Sequence, residues 1–211
     1  TGATVVTLDD TLPVERALAP VLALAGDDVP LPPIAPEDPA TILFTSGSTG
    51  AARGAVSTHG AVTTAAYSLM TQAAALRAVL VAAGTPPADP VTLIAVPLFH
   101  VTGSVALMLN SFAIGRRMVL MRRWDAGEAL RLIEAERVTY FSGVPTLSLE
   151  LMQHPDRASR DLSSLAEIVA GGAARPVAHV PRLCTAFPDG HPMLGYGLTE
   201  TNAVGCSNLR G

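Results

Sequence analysis

The stretch ILFTSGSTGAARGA, residues 42–55, runs from an apolar segment, Ile42 to Phe44, into eight consecutive residues that are only Gly, Ala, Ser or Thr. A single cation, Arg53, and another glycine follow. Glycines let a backbone turn tightly and bring its N–H groups close to a ligand, Ser and Thr add hydroxyl donors, and a guanidinium adds a planar charged fork. Thr45, Ser46, Gly47, Ser48, Thr49, Gly50 and Arg53 together suit an anion, most simply a phosphate. The spacing matches neither the Walker loop nor a dinucleotide fingerprint, and SGSTG lacks the first glycine of a hydrolase nucleophile elbow. Taken alone, the loop also fits a surface turn.

The elements that must position this loop follow from hydrophobic period and punctuation. A helix is expected over Val14 to Ala25, then a proline-rich connector, then a strand from Thr41 to Phe44 feeding the loop. Ser57 or Thr58 caps a long helix whose apolar residues Val62, Leu69, Ala73, Leu76 and Leu80 recur at helical spacing, with Gly84 ending it. Strands are expected at Thr92 to Leu98, Met118 to Met121, Thr139 to Phe141, Glu167 to Ala170 and Pro192 to Leu194. They alternate with helices at Gly103 to Ile114, Ala126 to Glu136, Pro145 to His154 and Pro176 to Phe187, supported by Asp125 with Glu128 and by first-turn prolines. The pattern predicts an α/β fold, a mostly parallel sheet with helices on both faces. Ligands in such sheets gather outside the carboxyl ends of strands. The loops there are TSGSTG, FHVTG, SGVP, AGGAARP and GYGLTETN, and they supply hydroxyls, a His, an Arg and a carboxylate along one edge.

Composition narrows the function classes. Of 211 residues, 49% are hydrophobic and 15% charged, enough for a buried core. A net charge of −4 without a basic stripe excludes a nucleic-acid partner. All fourteen cations other than His are arginine, so no lysine chemistry comes from these residues. Cys184 and Cys206 have neither metal-ligand nor redox-motif spacing and read as buried free thiols in a reducing cytosol, giving a cytoplasmic expectation. The most membrane-like segment, Ala65 to Gly84, carries Gln72 and Arg77 in its middle, which favours a helix packed inside a soluble protein over a transmembrane span. The absence of an initial Met and a stop just after a motif-rich stretch read as an excised piece.

FTSGSTGAARGAVSTH, AVPLFHVTG, SGVPTLSLELM, AGGAARP and GYGLTET occur in the order and approximate spacing of the acyl-adenylate-forming family, which this chain resembles from about residue 36 onward. The GVPT and AGGA segments are most similar to fatty-acyl-CoA ligases. The resemblance implies a central fragment of a large N-terminal domain. One part, residues 1–84, would carry the phosphate loop, and a second, residues 85–211, the adenine, magnesium and acyl loops. It implies that a carboxylate attacks the α-phosphate of ATP and that a thiol, coenzyme A or a carrier protein, then takes the acyl group. Thr45 to Gly50 and Arg53 match the loop that holds the β- and γ-phosphates. Tyr196 and Gly197 match the segment against adenine, Thr199 the hydroxyl near the α-phosphate, and Glu200 the carboxylate associated with Mg²⁺. His100 matches the position beside the acyl and nucleotide pockets. Gly171, Gly172 and Ala173 match the loop along the adenine and acyl groove. Each also has a bland reading: core packing for Tyr196 and His100, a solvated helix-start carboxylate for Glu200, an ordinary strand-to-helix turn for the glycines.

This chain departs from the family pattern at Ala52-Arg53-Gly54, where Pro-Lys-Gly is usual. With no lysine anywhere, Arg53 reads as a global Arg-for-Lys drift, with a bidentate fork in place of a point charge. The family's ribose-binding Asp, hinge and C-terminal catalytic domain with its adenylating lysine find no match, so these residues alone are expected not to turn over. Rival readings are a ligase that loads a carrier protein, a catalytically silent nucleotide-binding module, and a serine hydrolase using Ser46 or Ser48.

Overall fold

The strands β3 (Val91–Ile94), β4 (Arg117–Leu120), β5 (Tyr140–Gly143), β6 (Glu167–Ala170), β7 (His191–Gly197) and β8 (Gly205–Ser207) form one six-stranded sheet in the order β4-β3-β5-β6-β7-β8. This is seen in a computed structural model, which describes residues 11–23, 32–46 and 50–208. β3 to β7 run parallel and β8 returns antiparallel along β7. All four side chains of β3 are buried, as a strand covered on both faces requires. Chain order reverses here: β3 connects outward to β4, whereas β5 connects the other way to β6 and β7. The carboxyl ends of β3 and β5 therefore flank a topological switch point, the crevice where doubly wound sheets hold ligands.

Helices α4 (Ala126–Ala135), α5 (Pro145–Gln153) and α6 (His179–Ala186) cover the main core. Leu130 and Ile133 of α4, Leu151 of α5 and Leu183 of α6 pack with Leu93, Phe141 and Ile168 of the sheet. Each such side chain contributes about 1.5–3 kcal/mol on burial. A second, smaller cluster joins Ala65 of α2 (His59–Ala82) to Val101 and Val105 of the segment after β3. Leu43, Leu109, Ala203 and Val204 pack against it.

The local signals act as expected at several helix ends. Thr58 Oγ1 accepts from the Ala61 N–H at 3.2 Å, and Asp125 Oδ1 from the Glu128 N–H at 2.8 Å. Pro145 occupies the first turn of α5. Gly84, with φ of 74°, follows the end of α2.

Other boundaries differ for physical reasons. β3 stops at Ile94 rather than Leu98, because Pro97 has no N–H for a ladder and its carbonyl is taken by His100 N–H at 3.1 Å in a turn. The helix expected at Gly103 to Ile114 is a π-helix, Thr102–Leu109, continued by α3 (Asn110–Ile114). α6 begins at His179, three residues after Pro176, which instead closes a turn by accepting the His179 N–H.

One correction concerns the glycine-rich loop. It does not follow a strand of the parallel sheet. β1 (Pro39–Thr45) and β2 (Arg53–Thr58) form a separate antiparallel two-stranded sheet, with Thr45 opposite Arg53, and the glycine-rich residues connect these two strands. β2 escapes a sequence reading because its small residues carry no clear apolar alternation. A second correction concerns the thiols: Cys184 and Cys206 are free, but both are exposed, on the outer side of α6 and on the edge strand β8.

α2 presents its predicted stripe, Val62, Leu69, Ala73, Leu76 and Leu80, half-buried, and only Ala65 is fully buried. The interior packing expected of this helix is thus present on one side only. By length and composition α2 is apolar enough to cross a membrane. The chain divides into two compact units, residues 1–34 and 35–211. In the first, α1 spans Val14–Leu22, and its expected end at Ala25 lies outside the described residues.

Candidate active site

The glycine-rich residues join two paired strands. At their base Thr45 pairs with Arg53, and the Thr45 hydroxyl donates to the Arg53 carbonyl at 3.5 Å. Ser46, Gly50 and Arg53 are exposed. Gly50 has φ of 84° and nothing within 4 Å of where a Cβ would stand. Gly47, Ser48 and Thr49 lie outside the described residues. β2 lies against the 3-10 turn Thr199–Thr201, so the hairpin and the Thr199–Glu200 segment are neighbours.

That turn is tightly bonded inside itself. Thr201 N–H donates to the Leu198 carbonyl at 3.2 Å, and Asn202 N–H to that of Thr199 at 3.1 Å. Leu198 N–H donates to the Thr201 hydroxyl at 3.1 Å. None of these bonds uses the carboxylate of Glu200, which is exposed. Tyr196 stands on β7 with 61% of its surface exposed, available for a flat partner rather than packed in a core. Gly197 sits at the foot of the turn, where a Cβ would come 2.3 Å from the Ala203 carbonyl, a distance no side chain tolerates.

His100 lies in the loop after β3, one wall of the switch-point crevice. Its Nδ1 accepts the Thr102 N–H at 3.3 Å, and its carbonyl accepts from Ser104 N–H at 3.0 Å. With Nδ1 acting as acceptor, the neutral ring carries its proton on Nε2 and presents a donor outward. The π-helix that follows, Thr102–Leu109, contains Gly103 in its first turn, where a Cβ would lie 2.2 Å from the Pro97 carbonyl. Irregular helical turns of this kind concentrate at functional sites.

Gly171, Gly172 and Ala173 follow β6 at the same sheet edge. Gly171 N–H donates to the Gly143 carbonyl at 3.1 Å, tying this loop to the end of β5. Phe99, Val144 and Leu198 add exposed apolar side chains from the loops after β3, β5 and β7. The sheet edge thus combines apolar surface with His100, Tyr196, Thr199 and Glu200.

The donor set bears on magnesium. Among the described residues no three His, Cys, Asp or Glu side chains gather to hold an ion. Mg²⁺ is commonly held by one or two carboxylates together with substrate phosphates. A lone exposed carboxylate beside a phosphate-type loop fits that mode.

A cavity of about 300 Å³ lies at the opposite end of the strands, lined by Arg157, Arg160, Asp161, Phe187 and Asp189 among others. Arg157, Arg160 and Asp161 there are engaged in holding the fold. Arg157 donates to the carbonyls of Met152 and Ala186 at 3.2 and 3.0 Å, fastening the ends of α5 and α6. Arg160 pairs with Glu134 at 2.9 Å and Arg137 with Asp161 at 2.7 Å.

Thr201 and Asn202 lie outside the residues to which the motifs assign a role. The signal that could have pointed to them is an Asn directly after a turn-forming run, since Asn tolerates a left-handed backbone. Asn202 has φ of 52° and Ala203 φ of 66°.

Comparison with known proteins identifies the family and the fold. The chain is 32% identical over 173 residues to a probable CoA ligase, CCL5, of Humulus lupulus, covering 81% of this chain and 30% of that protein. It is 35% identical over 180 residues to a long-chain-fatty-acid–CoA ligase of Bacillus subtilis, covering 85% of this chain and 30% of that protein. The chain therefore spans about a third of the length of such relatives. Among solved structures, the inhibitor-bound N-terminal domain of FACL13 from Mycobacterium tuberculosis superposes with a TM-score of 0.75 at 28% identity, covering 92% of this chain and 46% of that one. The model of the AMP-binding enzyme family matches residues 1–211, and this chain belongs to that family, the acyl-adenylate-forming enzymes.

Proposed function

We propose that the intact protein containing this chain activates a carboxylic acid with ATP, releasing pyrophosphate to give an acyl-adenylate, and then passes the acyl group to the thiol of coenzyme A. The observation that carries this reading is the adjacency of two elements: the hairpin ending at Arg53 and the turn bearing the unengaged carboxylate of Glu200. The resemblance of both segments to the family's motifs supports the roles that follow.

An anionic carboxylate must approach an anionic phosphorus, so charge has to be offset by groups already in place. Backbone N–H groups and hydroxyls of Thr45 to Gly50, with the Arg53 guanidinium, grip the β- and γ-phosphates and the pyrophosphate formed from them. Thr199 orients the α-phosphate, and Tyr196, Gly197 and the Gly171 to Ala173 loop border adenine. Mg²⁺, when bound through Glu200, supplies the remaining positive charge. His100 donates from Nε2 to the substrate carboxylate and orients it. The exposed apolar residues Phe99, Val144 and Leu198 favour an acid with a hydrocarbon body; relatives are named for aromatic acids, as in the feruloyl-CoA synthases, as well as for long-chain fatty acids, and of these classes we propose a fatty acid.

ATP–pyrophosphate exchange by the full-length protein across a panel of carboxylic acids tests the first step. Exchange stimulated by a hydrocarbon acid supports the reading, and its absence with every acid favours a silent nucleotide-binding module. Comparing coenzyme A with carrier-bound phosphopantetheine identifies the acceptor. We further propose that residues 1–211 alone do not turn over, which robust acyl-adenylate formation by this chain would contradict.

A further inference from the structure

Immediately after Glu200 the backbone does something costly. Asn202 and Ala203 adopt the left-handed conformation in succession, at φ of 52° and 66°. Non-glycine residues seldom occupy this region, and strain of this kind persists only where surrounding structure over-determines it. Here the surroundings do so from three sides. At the feet of the turn Gly197 pairs with Gly205, and a Cβ on either would collide with backbone, 2.3 Å from the Ala203 carbonyl and 2.2 Å from that of Tyr196. Inside the turn Ala203 N–H donates to the Leu198 carbonyl at 3.0 Å and Val204 N–H to that of Thr201 at 3.1 Å. On the outside, Ala203 and Val204 pack against Ala65, Val101 and Val105, the cluster that also receives Leu43 of the phosphate hairpin.

Asn202 is 4% exposed, yet among the described residues its side-chain oxygen accepts no hydrogen bond. A buried amide oxygen left unpaired is a cost rather than a gain. The residue's use therefore lies in its backbone: Asn is among the few residues other than Gly that enter the left-handed region routinely.

We infer that Asn202 is a positioning residue, whose left-handed backbone fixes the Thr199–Glu200 turn against the cluster shared with Val101 and Leu43. The inference rests on the reading of Glu200 as the carboxylate that meets Mg²⁺. The kink sets the height of that carboxylate over the hairpin, and a relaxed kink would move it away from the phosphates.

Two substitutions separate backbone from packing in the full-length protein. Asn202→Val fills similar space but opposes a positive φ, whereas Asn202→Gly accepts the φ and leaves the space empty. The readouts are the Mg²⁺ concentration giving half-maximal ATP–pyrophosphate exchange, the KM for the carboxylic acid, and Mn²⁺ binding to the protein–ATP complex by electron paramagnetic resonance. Asn202→Val is expected to raise the metal requirement and weaken Mn²⁺ binding about tenfold, the scale of losses when a ligand's support is removed. The acid KM should stay within about twofold of wild type, as should every readout of Asn202→Gly. If the valine protein fails to accumulate, Asn202→Ala reports the same direction.

A merely structural residue would instead lower the active fraction and leave the metal requirement alone. An unchanged requirement in the valine or alanine variant, or a glycine variant as impaired as either, overturns the inference while leaving the ligase reading intact. No exchange by the unaltered protein overturns both.

Discussion

The core beneath α4, α5 and α6 and the small cluster around Ala65 are built to different specifications. The first buries Leu93, Phe141, Leu130, Ile133, Leu151 and Ile168 completely, and Trp124 stacks on Phe141 with ring centroids 5.7 Å apart. At the amino ends of its strands Arg116 stands 4.6 Å over the Tyr140 ring, and burial holds the guanidinium pKa down and pushes the tyrosine pKa up. Among the described residues the second cluster has only Ala65, Val101 and Val105 fully buried, small side chains that gather the β1–β2 hairpin, the segment after His100 and the turn after Glu200. Few buried contacts mean low local stability, from which moving and ligand-binding elements are drawn. The difference assigns separate tasks: one region holds the fold, and the other brings three loops to one place.

The largest expected effect falls on the first region. Phe141→Ala should lower unfolding stability by about 3–5 kcal/mol, seen in urea titration, while ATP–pyrophosphate exchange per folded molecule stays near wild type. A large loss of exchange in the folded variant would erase the distinction between the regions. Glu200→Gln should do the reverse, cutting exchange on the order of 100-fold with no change in the thermal midpoint. A drop in the midpoint would return Glu200 to the fold.

Arg53→Ala sharpens the comparison further. It should weaken ATP binding by about tenfold, or about 1.4 kcal/mol, by calorimetry, with Arg53→Lys recovering most of it. Because Arg53 is exposed, stability should not follow. The smallest effect concerns acid. The Asp161 N–H and then the Arg160 guanidinium hold the Glu134 carboxyl below its ordinary value of 4.5. A lowered folded pKa contributes stability that is full above 4.5 and is lost as pH falls through the lowered value. Glu134→Gln should therefore flatten the thermal midpoint slightly below pH 4.5, by a small amount because the pair is solvent-screened.

The two regions were also unequally legible in the sequence. Strands such as Glu167–Ala170 and helices such as Ala126–Ala135 announce themselves by apolar period and caps, because burial against one another dictates both. The hairpin partner Arg53–Thr58 and the edge strand Gly205–Ser207 do not, since small residues satisfy backbone geometry without a hydrophobic pattern. The candidate site residues stand out in the sequence as chemical types at spacings that resemble the family's motifs. Their support was legible only at Asn202, a residue type that tolerates a left-handed backbone; that Ala203 follows it there depends on the close approach of Gly197 and Gly205 and on the bonds inside the turn.

The central claim is that Arg53 and Glu200 serve one magnesium triphosphate. A double-mutant cycle on MgATP affinity in the full-length protein, with Arg53→Ala, Glu200→Gln and the pair, tests it most directly. Two groups on one ligand should be coupled by about 0.5–3 kcal/mol, so the double variant loses measurably less or more than the sum. Losses that add within about 0.3 kcal/mol would place the two residues at independent sites and contradict the account.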